Sequence, residues 1–265
     1  MINYLSKRLN WFVAGLLLAP LALSAETPEE RGLAIAVEAA RLDSGFGDFK
    51  AALKMVLRNK HGQQSERNMR VRTLEQADDG DKSLIIFDNP GDVKGTAFLS
   101  FTHKQDIDDQ WLYLPALKRV KRIASSNKSG PFVGSEFAFE DLSSQEVEKY
   151  TYKYLRDENF DERQHFVVEL DPVDPKSGYK RQIIWVDQAE YRVWKVEFYD
   201  RRDALLKTLT VSDYRQYLDQ YWRGHRWQMI NHRTGKSTEL VWEDYVFGNG
   251  FADSDFNRNS LAKAR

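Results

Sequence analysis

The residues able to do chemistry are few, and most lie between positions 95 and 142. Glu140-Asp141 offers adjacent carboxylates, but neighbours on a chain rarely face the same reacting bond. Ser135 lies in Gly-Ser-Glu, which is not the Gly-x-Ser-x-Gly elbow that exposes a nucleophile. His61, His103, His165, His225 and His232 show no metal-ligand spacing, and the chain has no cysteine to pair with them. Asp106, Asp108 and Asp109 form an acidic turn, without the glycine and distal glutamate of an EF-hand loop. No glycine loop of the kind that cradles phosphate is present. These residues point away from catalysis, a metal and a cofactor. What remains is recognition. Lys118, Arg119, Lys121 and Arg122 form a basic run whose paired N–H donors suit a phosphate or carboxylate. The same run fits a solvated strand with its charges outward.

The other candidates are apolar. Trp111, Tyr113, Tyr152, Trp185 and Trp194 fall in expected strands, as do Trp227 and Trp242. They fit a wall for an apolar ligand, and they fit ordinary core equally well. Phe132, Phe137 and Phe139 sit on a Ser/Asn/Gly/Pro-rich insertion after the basic run. Such side chains either form a lid or pack the insertion onto the core.

Strands must position all of these. Thr27, followed by Glu29 and Glu30, caps one helix to Asp43, with Leu33, Val37, Ala40 and Leu42 as its apolar stripe. Ser44-Gly45-Phe46-Gly47 breaks it. Alternating runs then recur, among them 49–57, 96–102, 110–114, 147–155, 192–199 and 237–245. Tyr150, Tyr152 and Tyr154 share one face of their run, opposite Lys149, Thr151 and Lys153. Roughly eleven strands at short spacing predict a meandering antiparallel sheet, and a sheet that wide curls. Asp253 to Ala262 reads as a short closing helix.

Composition narrows the class. Lys7 and Arg8 precede an apolar stretch from Trp11 to Ala22, and small residues end at Ala25, so residues 1–25 read as a cleaved signal peptide. Its loss leaves 37 basic residues against 40 acidic, a formal charge of −3. That balance argues against a nucleic-acid partner. Without a cysteine there is no thiol to acylate, which favours a soluble periplasmic product. Residues 26–265 carry no linker or repeat and read as one domain.

Four segments carry a family likeness: Lys94-Gly95-Thr96-Ala97, Trp111-Leu112-Tyr113-Leu114-Pro115, the KRVKRIA run from Lys118 to Ala124, and GPFVGSEFAFEDL from Gly130 to Leu142. Together the chain resembles the LolA/LolB-like outer membrane lipoprotein-sorting proteins of Gram-negative bacteria, with weaker matches from Gly45 to Leu261. The resemblance implies a mainly β fold with a few helices, a half-open antiparallel barrel wrapped round helical lid elements and an apolar tunnel. It implies a carrier of lipid or lipoprotein acyl chains. Its partners would be an inner-membrane RND/MMPL-type transporter or lipoprotein-releasing complex as donor, and an outer-membrane acceptor. On that reading Trp111, Tyr113, Phe132, Phe137, Phe139, Tyr152, Trp185 and Trp194 belong to the cavity wall or lid. Lys118, Arg119, Lys121 and Arg122 belong at its mouth. The family pattern also places a glycine turn near Asp203, where this chain has none, so a looser or differently paired hairpin is expected there.

Overall fold

A computed structural model describes residues 25–263, and the signal-peptide expectation lies outside them. One α-helix, α1 (Pro28–Asp43), precedes thirteen strands. Its start is a reciprocal cap: Thr27 Oγ1 accepts the Glu30 N–H, and the Glu30 carboxylate accepts the Thr27 N–H at 2.8 Å. The strands are β1 (Asp48–Arg58), β2 (Gln64–Leu74), β3 (Lys82–Asn89), β4 (Ala97–Phe101), β5 (Asp109–Leu114), β6 (Arg119–Arg122) and β7 (Tyr150–Phe160). They continue as β8 (Arg163–Pro172), β9 (Tyr179–Asp187), β10 (Val193–Asp200), β11 (Leu205–Tyr217), β12 (Tyr221–Asn231) and β13 (Ser237–Phe247).

All thirteen form one antiparallel sheet in the order β6-β5-β4-β3-β2-β1-β13-β12-β11-β10-β9-β8-β7. The count exceeds the expected eleven, and one addition is the basic run itself, strand β6. The sheet does not close: β6 and β7 are its two edges. A sheet this wide must curl as strand twist accumulates, and it encloses a concave face. The expected few helices reduce to α1 and short 3-10 turns among the described residues, including Asp253–Asp255 and Arg258–Lys263 in place of a closing helix.

Two apolar clusters lie on opposite faces. The larger, concave one includes Leu53, Met55, Phe87, Phe98, Leu170, Val168 and Met229. The smaller, convex one gathers Leu84, Ile86, Leu99 and Trp111 beneath Phe256 and Leu261 of the C-terminal segment. That segment therefore covers the outside of β3, β4 and β5.

Helix α1 rests on β7. A Cβ on Gly32 would stand 2.7 Å from the Tyr154 backbone N, so only glycine permits this approach. Gly32 and Ile35 form the buried face. The expected stripe is corrected in part: Leu33 and Val37 are exposed, while Ala40 and Leu42 border the interior space. On β7 the tyrosine face points inward and Thr151 and Lys153 point out. The β10–β11 hairpin is tight rather than loose. Asp203 takes the left-handed position, with φ 62°, and the Asp200 carboxylate accepts the Arg202 and Ala204 N–H groups at 2.9 and 3.1 Å.

Candidate functional site

The curled sheet and α1 enclose a cavity of about 1380 Å³. That exceeds the roughly 300–1,000 Å³ of ordinary small-molecule pockets. Its wall is built by concave-facing side chains of many strands: Val71 and Ile85 on β2 and β3, Ile184 and Val186 on β9, Val196 and Phe198 on β10. Leu209 and Val211 follow on β11, then Trp227 on β12 and Trp242 and Tyr245 on β13. Tyr152 lines it from β7, and α1 supplies Ala36, Ala39, Ala40 and Leu42. Small residues on α1 leave the space unfilled, while β-branched residues stiffen the opposite wall.

One end of this space is stoppered by the insertion between the two sheet edges. Phe132 and Phe137 are 1 % exposed and Phe139 9 %, and Phe132 packs on Phe87, Phe98 and Phe139 with ring centroids 5.2–5.8 Å apart. Polar anchors tie the same segment to distant strands. Lys207 Nζ on β11 lies 2.6 Å from the Asp141 carboxylate, both side chains nearly fully buried. Tyr179 Oη donates to Asp141 at 2.7 Å, and Thr238 Oγ1 accepts the Glu136 N–H at 2.9 Å. Arg67 donates to the Val133 carbonyl, Asn231 to Glu136, and Gln110 to the Phe139 carbonyl. The three phenylalanines thus pack the insertion onto the core as a plug, the second of the two readings open to them. Of the three, only Phe137 borders the large cavity. At the opposite end, Phe46, Phe49, Tyr221 and Phe247 pack together, with the Arg223 guanidinium over Phe46 and ion-paired to Asp43 at the end of α1.

The remaining expected residues are scattered. Tyr152 borders the cavity. Trp111 and Tyr113 face the convex side and pack with the C-terminal cluster. Trp185 and Trp194 do not line the cavity either. Trp185 Nε1 donates to Glu158 at 3.0 Å with Lys195 over its ring, and Trp194 Nε1 donates to Asp187 at 2.7 Å. Residues not singled out beforehand, such as Ile184, Val196 and Leu209, make the wall instead.

The basic run does not reach the mouth of the large cavity. Lys118 ends the β5–β6 turn with left-handed φ of 49°, and Arg119 is exposed on the edge. Lys121 and Arg122 border a separate groove of about 460 Å³ with Leu112, Leu114, Ile123, Pro131 and Phe139. Arg122 also pairs with Asp109. The mouth is mainly acidic: Asp79, Asp81, Asp106, Asp108, Glu146 and Glu148 border it, with Lys104 and Lys149 among them. Burial pushes the Asp81 carboxyl up to about 6, partly offset by the Ser144 hydroxyl. Burial and the nearby Asp81 push Glu146 up to about 7.

The residues weighed for catalysis are engaged internally. Ser135 is buried and hydrogen bonded to Phe137 backbone groups. Glu140 accepts from Gly178 N–H and Ser177 Oγ, both at 2.9 Å. Asp108 holds Lys149 at 2.7 Å. Among the described residues no group of three or more His, Asp or Glu side chains is arranged to hold a metal.

Comparison with known proteins places this geometry. A model of an uncharacterized protein family matches residues 79–263. A solved domain from Vibrio parahaemolyticus, named for outer membrane lipoprotein sorting, is 57% identical with a TM-score of 0.87, over 88% of this chain and 99% of its own. A DUF1329 family protein from Desulfovibrio piger is 27% identical with a TM-score of 0.84, over 89% and 99%. A LolA superfamily protein from Nitrosomonas europaea, 20% identical over 86% of this chain and 98% of its own, shares the fold with a TM-score of 0.70. A comparison with curated proteins finds no match. Fold and sequence identity agree, and the chain belongs to the outer membrane lipoprotein-sorting protein family with a LolA-like fold.

Proposed function

We propose that this protein is a periplasmic carrier that shelters a lipid, or the acyl chains of a lipoprotein, in the cavity between sheet and α1. It would move that cargo from an inner-membrane donor towards an outer-membrane acceptor. The observation that carries this reading is the unfilled volume of about 1380 Å³, walled on the sheet side mainly by apolar side chains. An adaptor with a collapsed core, docking on an RND/MMPL-type transporter without cargo, would have no use for that space.

Burial of one methylene is worth about 0.8 kcal/mol, so a 16-carbon chain gains roughly 12 kcal/mol at most. Fully realised, that is an affinity near the nanomolar range. A carrier must release its load, so a partly open and partly polar cavity suits the task better than a sealed one. The acidic mouth lowers the match for a hydrocarbon passing through it. The wall strands hold the cavity's shape.

The test is transfer of a fluorescent phospholipid from donor to acceptor vesicles by the mature chain. Ile184→Trp and Leu209→Trp each place an indole in the cavity, and both should cut transfer while leaving the unfolding temperature close to wild type. Undiminished transfer by both stably folded variants would refute a cargo site in this cavity.

A further inference from the structure

Lys121 and Arg122 of β6 border the smaller groove, and Arg119 lies further along the same strand. Register pairs Lys121 with Leu112 and Arg119 with Leu114 across the β5–β6 ladder. Leu112 and Leu114 belong to the concave cluster, whereas the alternate residues Trp111, Tyr113 and Val120 belong to the convex one. Arg119 and Lys121 therefore project to the concave side, onto the face that carries the groove's apolar floor. Both are exposed, and among the described residues neither has an ion-pair or side-chain hydrogen-bond partner. The floor is Leu112, Leu114, Ile123 and Phe139, and its far wall is the turn from Ser126 to Pro131. Ile123 also lines the large cavity, so groove and cavity share a wall one side chain thick.

Lys121 at the edge of an apolar trough, with Arg119 two residues along on the same face, matches one kind of ligand, an anionic head attached to a hydrocarbon chain. The acidic rim of the large mouth repels such a head. The two features together set a direction: head at β6, chain along the groove floor towards Ile123. We propose that this groove is the head-group site for an anionic amphiphile, carrying a phosphate or carboxylate, whose chain lies on the floor of Leu112, Leu114 and Phe139 and points towards Ile123, the side chain shared with the main cavity. This rests on the carrier reading and adds to it a preferred cargo charge and an orientation.

The test is isothermal titration of the mature chain with lysophosphatidylglycerol and with lysophosphatidylcholine of the same acyl chain, below their micelle concentrations. Inorganic phosphate is the third probe. The wild type should bind the anionic lipid about tenfold more tightly, as expected for one or two charge-assisted contacts. Arg119→Gln with Lys121→Gln should erase that preference and leave lysophosphatidylcholine binding unchanged. Ser126→Trp, which narrows the groove alone, should weaken the anionic lipid selectively. Phosphate alone should not bind measurably at millimolar concentration. Equal binding of both lipids by the wild type would overturn the head-group site while leaving the carrier reading intact. A preference that survives the double substitution would also overturn it, as would tight binding of free phosphate, which would mark a plain anion site. If neither lipid binds, the carrier reading falls and this inference with it.

Discussion

Removing the ammonium of Lys207 should loosen the plug more than any surface change. The Lys207 and Asp141 side chains are 4 % and 5 % exposed and lie 2.6 Å apart. Asp141 also accepts from Ala138 N–H and Tyr179 Oη, and Lys207 also donates to the Glu136 carbonyl at 3.1 Å. In Lys207→Met the carboxylate keeps those two donors but loses its counter-charge in a dry site. Breaking a buried pair in this way costs about 3–5 kcal/mol. In a domain of this size about 1 kcal/mol shifts Tm by roughly 2–4 °C, so a fall of about 6–20 °C is expected. Replacing both partners by apolar groups relieves the stranded charge, so Lys207→Met with Asp141→Leu should be more stable than Lys207→Met alone. Thermal unfolding of the wild type, both single variants and the double gives the coupling, and hydrogen exchange of residues 131–142 reports whether the plug itself opens. The reasoning is refuted if Lys207→Met shifts Tm by less than about 3 °C, or if the two single effects simply add.

Gly32→Leu should lift α1 from β7, because the new Cβ would meet the Tyr154 backbone N at 2.7 Å. Overpacking of this kind costs about 1–3 kcal/mol, read as faster exchange of the 28–43 amides; unchanged exchange would show the helix is not seated there. Glu146→Gln tests the acidic mouth. The folded-state pKa of Glu146 is raised to about 7, chiefly by burial, so its ionised form opposes folding. That cost is absent below the unfolded value, grows as pH rises towards 7 and is constant above it. The variant should therefore melt with the wild type near pH 4 and above it at pH 8, and a gap independent of pH would contradict the assignment. Asp203→Val puts a β-branched residue at φ 62° and removes the carboxylate paired with Arg181. It should destabilise by about 1–2 kcal/mol, whereas Asp203→Asn should cost less, since asparagine tolerates that conformation.

Much of the scaffold is legible in the chain because its signals are local. The Thr27–Glu30 capping box marks the start of α1, and alternation marks β7, where Tyr150 and Tyr152 lie on one face and Thr151 and Lys153 on the other. Legibility fails where the sheet is covered on both sides. β4 is Ala-Phe-Leu-Ser-Phe, nearly all buried, because the plug lies on one face and Phe256 and Leu261 on the other. No polar alternation survives there to tell inside from outside. Trp111 and Tyr113 on the neighbouring strand were therefore expected in the cavity, yet lie on the convex face. Strand β6 stayed one of two readings for a related reason: its four residues are three cations and one valine, and the ladder that makes them a strand is supplied by β5. The plug was ambiguous because phenylalanines on irregular backbone carry no period, and their anchors are long-range. Lys207 and Thr238 are remote in sequence from the residues they hold. The wall was missed because Ile184, Val196 and Leu209 are common strand residues, and only the small side chains of α1 opposite leave them facing open space.

The central claim is that the space between sheet and helix is meant for a hydrocarbon guest. Its most direct test is mass spectrometry of lipids extracted from the mature protein purified from a Gram-negative envelope without detergent. The account predicts about one acyl-bearing molecule for each wild-type chain and far less with Ile184→Trp, at equal folded content. A wild-type protein that comes out empty under those conditions, with its cavity free to load, would contradict it.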